Sequence, residues 1–409
     1  MEFIGHFRQL TAVQRNTFIA CFLGWTLDAF DFFILIFCVS ALGAHFHAKV
    51  SEISEGIFWT LAMRPLGAFA FGVMADRFGR RPTLMVNVVA FSVFELASAF
   101  APTLKIFLIT RALFGIAMGG EWGVGAALAF ETLPSKGRGF FSGVLQEGYV
   151  VGYLLAAVVY GRLFPYVGWR GMFVIGAMPA LLAIYIRSKV KESPAWEQGR
   201  VDRKAERHLW KDIRSNFGVF VFIVVLMFAF NSYSHGVQDL YPTFLEKNLL
   251  LKPGTVSSIA IVYSIGALLG GILFGTLSER IGRRRAIVTA ALLSIPIIPL
   301  WAYSRSVPLL SFGSFLMLFM VQGAWGVVPA HLNELSPPAV RGTLPGFAYQ
   351  VGNFLSSKNA VIQAKLAETR YGGSYSPVLA WTVLLGAALV VLVTLVGGER
   401  RGIDMSNTK

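Results

Sequence analysis

Charge is what this chain has least of: charged residues occupy 14% of its 409 positions, against 55% for hydrophobic ones. A water-soluble domain of that length carries more charge than this over its surface, so most of the surface is read as facing lipid. Cysteine is scarce too, with two residues. Cys21 and Cys38 share one apolar run and stand about 25 Å apart if that run is helical, too far for a disulfide between them. The sequence has no Cys/His metal spacing, no phosphate-cradling glycine loop followed by lysine and no nucleophile elbow. It therefore offers no metal site, no cofactor and no enzyme chemistry. Acidic residues are outnumbered, 22 against 36 Lys and Arg, which leaves a net charge of +14. Nucleic-acid binding would gather that excess on one polar face, but here it falls in short clusters between apolar runs, so nucleic acid is not a partner. No small-residue cleavage site follows the first apolar run, which is read as a retained span and not as a signal peptide.

Apolar runs long enough to span a bilayer fall at roughly 17–42, 54–75, 83–101, 105–130, 139–163, 169–187, 216–246, 254–278, 286–303, 308–333, 343–366 and 376–397. Twelve spans put both termini on one side. Most of the Lys and Arg residues lie on that side, so the expected protein is multi-pass in the cell (inner) membrane with both termini cytoplasmic. Residues 188–215 are polar, basic and without an apolar run. They read as a cytoplasmic linker between an N-terminal six-helix half, 1–187, and a C-terminal six-helix half, 216–409.

An internal repeat supports that division. Gly72-Val-Met-Ala-Asp-Arg-Phe-Gly-Arg-Arg81 recurs as Gly275-Thr-Leu-Ser-Glu-Arg-Ile-Gly-Arg-Arg284, a shift of 203 residues. The same shift carries Trp122, Gly123, Glu131, Pro134, Arg138 and Gly139 onto Trp325, Gly326, Glu334, Pro337, Arg341 and Gly342. Halves with an even number of spans run parallel and should pack about an axis along the membrane normal, with a cavity between them. Asp76 and Glu279 sit where a helix meets the cytoplasm beside Arg80 and Arg283, so carboxylate–guanidinium pairs there can latch one state of the protein. Glu131 beside Arg138, and Glu334 beside Arg341, are read as gating pairs of the same kind. The repeated loop resembles the signature between the second and third helices of the major facilitator superfamily, and Arg111 with Gly115 and Gly119 resembles that superfamily's fourth-helix motif. The resemblance implies an all-α, twelve-helix transporter of two pseudo-symmetric halves.

Ionisable groups inside the membrane are costly and mark function by default. Arg64 lies about 18 Å from the cytoplasmic end of its helix, near mid-membrane, and its repeat mate is Ala267. A charge needed in only one half fits binding of a carboxylate, for which the Arg fork suits; a structural ion pair with Asp28 or Asp31 is the other reading. Asp28 and Asp31 are three residues apart on one helix face, so one of them pairs with a cation or holds a proton, which makes them candidates for proton coupling. Glu121 and Glu147 also lie in spans and lack acidic mates.

The seventh span reads Asn231-Ser-Tyr-Ser-His235-Gly-Val-Gln-Asp239-Leu-Tyr-Pro-Thr243. Asn231, His235 and Asp239 form one polar stripe with Gln238 alongside, which in lipid must face a cavity and handle substrate or proton. The shift aligns Asp28 with Asn231 and Asp31 with Ser234, so the first and seventh helices should face each other. The pattern Asn-x-x-Ser-His-x-x-Gln-Asp-x-x-x-Thr resembles the signature of the sialate:proton symporter family, which includes lactate and pyruvate permeases and sialic acid transporters. Val237 stands where the lactate-permease pattern has Ser or Thr. The resemblance extends to Arg64 in the second span and to Tyr349-Gln-Val-Gly-Asn353 in the eleventh. It implies that Arg64, His235, Gln238, Asp239, Gln350 and Asn353 belong to the substrate site. Gln146 and Tyr149, at nearly the repeat-equivalent place in the fifth span, join them. The short central linker favours the monocarboxylate branch over sialate members with extra central helices. The function expected is proton-coupled symport of a small monocarboxylate, lactate- or pyruvate-like, by a protein working as a monomer. The alternatives are symport of sialic acid or another organic acid, aromatic acids included, and, from another class, a non-transporting membrane sensor.

Overall fold

A chain in hydrocarbon has only itself to bond its amides, and a helix satisfies them within one segment. The structure, a computed structural model, describes residues 10–133, 138–193, 196–197, 214–336 and 344–399. Among these there is no strand. The helices are α1 (Ala12–Phe46), α2 (Val50–Phe78), α3 (Arg80–Ala99), α4 (Leu104–Thr132), α5 (Arg138–Gly176), α6 (Ala180–Lys189), α7 (Phe217–Gln238), α8 (Tyr241–Lys247), α9 (Pro253–Ile281), α10 (Arg283–Ser294), α11 (Ile298–Ala302), α12 (Val307–Leu335), α13 (Leu344–Ser356), α14 (Asn359–Arg370) and α15 (Ser376–Val396).

Among the described residues, ten helical stretches are long and apolar enough to cross a membrane. The difference from twelve apolar runs has two local causes. The fifth and sixth runs form one stretch of 46 residues, Val144–Lys189, bent where Gly168 takes φ 62° and ψ −172°. At 1.5 Å per residue that is about twice the thickness of the hydrocarbon core, enough for two crossings. The eleventh run is broken between Ser356 and Asn359 into α13 and α14, of 13 and 12 residues, each too short to span alone. A two-crossing hairpin and one broken crossing bring the count back to twelve. The seventh run is also interrupted, between Gln238 and Tyr241, just ahead of Pro242, which disfavours helical backbone in the residue before it.

The chain divides into two compact units. One is made of the described residues of Met1–Leu35, Trp59–Ala156 and Val167–Arg207, the other of those of Ile36–Phe58, Ala157–Tyr166 and His208–Lys409. In the second unit Glu368 of α14 takes the Ser51 amide at 2.9 Å and its hydroxyl at 2.6 Å, which caps the start of α2. In the same unit Tyr160 donates to Glu246, and Lys358 stands 5.0 Å over the Phe58 ring.

The repeat seen in the sequence reappears as packing. In the first unit Gly67 of α2 lies against the Ile116 carbonyl of α4, and Gly120 of α4 against the Phe71 ring. Under the shift these residues become Gly270, Phe319, Gly323 and Phe274, and in the second unit Gly270 lies against the Phe319 carbonyl and Gly323 against the Phe274 ring. Small residues let membrane helices approach to backbone contact, where dispersion replaces the missing hydrophobic drive. A side chain at Gly67 or Gly270 would meet backbone, which cannot rotate away as a side-chain tip can. Gly67→Ala and Gly270→Ala are each expected to lower stability by about 1–3 kcal/mol, read as a lower unfolding midpoint in detergent. Gly72→Ala, a site with open space around it, is expected to leave the midpoint unchanged.

Candidate functional site

Within the first unit, charge is concentrated on buried side chains. Asp28 and Asp31 of α1, Arg64 of α2, Glu95 of α3, and Arg111 and Glu121 of α4 are all at most 1% exposed. Arg64 forms no ion pair with Asp28 or Asp31. Its Nε and Nη2 point at the Met118 thioether at 3.2 and 2.6 Å, and its guanidinium sits 5.5 Å over the Phe32 ring. Thioether sulfur is a weak acceptor, so the fork is left with most of its donor capacity unused. Both oxygens of Asp28, Asp31 and Glu121 lack hydrogen-bond partners. Tyr149 of α5 stacks on Trp25 at 5.7 Å and meets Phe33 edge-on at 5.0 Å, and Tyr153 also meets Phe33 edge-on, at 4.6 Å. Gln146 is half-buried one turn before Tyr149.

The buried ion pair of this unit is one that sequence reasoning missed. Arg111 Nη2 lies 2.8 Å from Glu95 Oε2, both side chains fully buried. Arg111 also donates to Ser98 Oγ, and Phe107, Phe114 and Phe173 surround its guanidinium at 5.7, 4.5 and 5.1 Å. The signal was available, since Glu95 is the one acid in the apolar run 83–101 and the rule that singled out Arg64 applies to it equally.

Within the second unit the α7 stripe is buried as a set: Asn231 is 1% exposed, His235 3%, Gln238 5% and Asp239 1%. His235 Nδ1 and Asp239 Oδ1 are 3.0 Å apart, across the end of α7. Tyr263 of α9 donates to Gln238 Oε1 at 3.4 Å. On α13, Asn353 donates to Gln350 Oε1 at 3.2 Å. Amide groups retain unmet capacity at Asn231 Nδ2 and Gln238 Nε2 of the stripe and at Asn353 Oδ1 of α13. Two further amides that the sequence reading passed over fix α14 to α7: Asn359 donates to the Ser232 carbonyl at 2.9 Å and Gln363 to the Gly236 carbonyl at 2.8 Å.

The residues read as gates are bonded as follows. In the first unit Arg80 Nη2 lies 3.4 Å from Glu131, which also accepts from Ser193. In the second, Arg283 reaches both oxygens of Glu334, the shortest contact being 3.1 Å. Glu279 is exposed at the end of α9 and has no ion pair among the described residues. Arg341 lies outside the described residues, as do the side chains of Asp76 and Arg138 and most of the 188–215 linker.

Gly79 and Gly282, repeat mates, turn these loops with φ of 112° and 99°, a region open to glycine and strained for other residues. A carboxylate closes each turn. Glu192 accepts from the Arg80 amide at 3.0 Å and Glu399 from the Arg283 amide at 2.7 Å, each at the positive end of a helix. Arg81 donates to the Arg187 carbonyl at 2.5 Å and Arg284 to the Thr394 carbonyl at 3.0 Å. These partners are related by 207 residues and not 203. A four-residue slip is about one helical turn, which restores the same face but hides the match from a gapless comparison.

A family model described as the Major Facilitator Superfamily matches residues 21–247, more than half of the chain, and one described as "Sugar (and other) transporter" matches 217–398. The carboxylic acid transporter protein homolog of Saccharomyces cerevisiae is 30% identical over 89% of the chain, which spans 63% of that longer relative. The sialic acid transporter NanX of Escherichia coli is 27% identical over 97% of the chain and 96% of its own length. The xylose transporter XylE of E. coli, in a partially occluded inward-open conformation, superposes with a TM-score of 0.77 over 96% of this chain and all of that one. At 18% identity this last likeness speaks for the fold alone.

The glutamate clamps can be tested directly. Glu192→Ala is expected to cost about 1 kcal/mol of stability, and Glu399→Ala less because Glu399 is exposed to solvent. Both are read as shifts of the thermal midpoint that shrink in high salt, as screening predicts.

Proposed function

The chain belongs to the Major Facilitator Superfamily, and from that premise we propose that it is a proton-coupled symporter of a small, lactate- or pyruvate-like monocarboxylate. That it is a multi-pass membrane transporter of small molecules and not an enzyme follows from its family and fold. The reading adds a substrate, a coupling ion and an orientation: cell (inner) membrane, termini in the cytoplasm, one chain as the working unit.

One observation carries the choice of an anion. Arg64 is a fully buried guanidinium that bonds a thioether over an aromatic ring, with the Asp28 carboxylate near enough to act on it but not hydrogen-bonded, so its fork keeps donors for a further anion. A substrate carboxylate supplies one through two parallel hydrogen bonds. The substrate-binding candidates are Arg64, Gln146 and Tyr149 in the first half and Asn231, His235, Gln238, Gln350 and Asn353 in the second. Asp28, Asp31, His235 and Asp239 are the proton-coupling candidates. A proton entering with the anion also makes the step electroneutral, which matters because a bare anion entering a cell at 100 mV, negative inside, is opposed by about 2.3 kcal/mol. Asp76, Arg80, Glu131, Arg138 and their mates Glu279, Arg283, Glu334 and Arg341 serve as cytoplasmic gates between alternating states.

A second reading, transport of a planar aromatic or larger organic acid, has its own support in Trp25, Phe33, Tyr149 and Tyr153, which pack as one aromatic group in the first unit. The rings offer flat faces to a flat substrate.

Uptake of radiolabelled lactate into proteoliposomes under an inward proton gradient tests both readings. The expected result is accumulation that collapses with a protonophore and is outcompeted by pyruvate. Arg64→Ala is expected to weaken it by about ten- to a hundredfold, the worth of hydrogen bonds to a charged group. Benzoate or sialic acid carried in place of lactate would retain the mechanism and change the substrate. Lactate flux indifferent to the gradient would refute proton coupling.

A further inference from the structure

We infer that Glu95, ion-paired to Arg111 beside Asp31, is a proton-coupling residue, and that Asp31 and Glu95 share one exchangeable proton over a single guanidinium. This rests on the symport reading above and assigns part of its proton chemistry to a residue on α3. The geometry is that of an unbalanced triad. Glu95 Oε2 is 2.8 Å from Arg111 Nη2. A Cβ placed on Gly176 would lie 3.0 Å from Glu95 Oε1 and 3.1 Å from Asp31 Oδ1, so the two carboxylates close on the same small space beside that glycine. Neither oxygen of Asp31 has a hydrogen-bond donor, and Arg111 Nη1 has no acceptor, though both side chains are fully buried. One guanidinium neutralises one carboxylate. Two like charges this near in a dry interior cannot both stand ionised, so the second holds a proton.

The other charges that bear on the triad are Asp28, on the same helix as Asp31, and Arg64 of α2, which acts on Asp28. Asp28 in turn acts on Glu121 of α4. In the proposed step a proton from water forms an O–H bond at Asp31 or Glu95, moves between them, and leaves to water on the opposite side. No electron pair changes owner.

The repeat argues that this pair is there for coupling and not for folding. The mates of Asp31, Glu95 and Arg111 are Ser234, Ile298 and Ser314. The second half thus builds the equivalent helices with no charge at any of the three places. A buried ion pair adds little to stability over apolar residues of similar volume, so the scaffold has no need of this one.

The test uses the full chain in proteoliposomes, wild type beside Glu95→Gln, with two readouts: exchange of labelled for unlabelled acid at equal pH on both sides, and gradient-driven accumulation with proton entry followed by a pH-sensitive dye. Glu95→Gln is expected to keep exchange near the wild-type rate and to lose driven accumulation and proton entry by about a hundredfold, the low end of what a positioned proton-transfer group contributes. Driven accumulation at the wild-type level in Glu95→Gln would overturn the inference. If exchange and accumulation are lost together, Glu95→Asp decides: a restored proton-driven uptake supports a titrating role, and none refutes it. Wild-type protein that carries acid without proton entry would sink the symport reading, and this inference with it, before any variant is read.

Discussion

Hydrocarbon offers a polar group nothing to bond with, and that single constraint accounts for both the plainness of this fold and the placing of its few charges. Backbone amides meet it by staying helical, which is why the interruptions inside runs, at Ala177–Pro179, Asp239–Leu240, Ile295–Ile297 and Ser357–Lys358, stand out. Two of these four adjoin residues that the proposed site uses: Asp239 itself and, on the helix just before Ser357, Gln350 and Asn353. Side chains meet the constraint by pairing. Where they do not, as at Arg64 and Asp31, the unmet capacity is the best guide to what the protein handles.

Much of the fold was legible because lipid simplifies the code. Runs of apolar residues become helices, and the 203-residue shift that ties Gly72–Arg81 to Gly275–Arg284 reappears as the glycine contacts of α2 with α4 and of α9 with α12. Breaks inside runs were less legible, since Ala177 and Ser357 look like ordinary membrane residues until their backbone or neighbours are known. The clamps by Glu192 and Glu399 escaped because the segments that carry them, just past α6 and α15, are out of step with the rest of the repeat by four residues.

The site was readable as a list of residues and much less so as a set of bonds. Asn231, His235, Gln238 and Asp239 share a helix, so periodicity alone groups them. Arg64, Asp31, Glu95 and Arg111 lie on four helices, and no spacing rule says which carboxylate meets which guanidinium. The sequence left open an ion pair of Arg64 with Asp28 or Asp31; the structure instead joins Arg111 to Glu95 and leaves Arg64 against sulfur. Pairing between helices depends on rotation about their axes, which apolar composition does not encode.

The two copies of the repeat have diverged in kind. Asp28, Asp31, Arg64, Glu95, Arg111 and Glu121 are answered in the second half by Asn231, Ser234, Ala267, Ile298, Ser314 and Ala324. At these six places one copy holds buried charges, while the other holds one amide, two hydroxyls and three apolar side chains. Such a division of labour lets descent work on the two separately. At these places the neutral side chains of the second copy can be exchanged without stranding a buried charge, whereas in the first copy a change at Arg111 or Glu95 leaves the other without its partner.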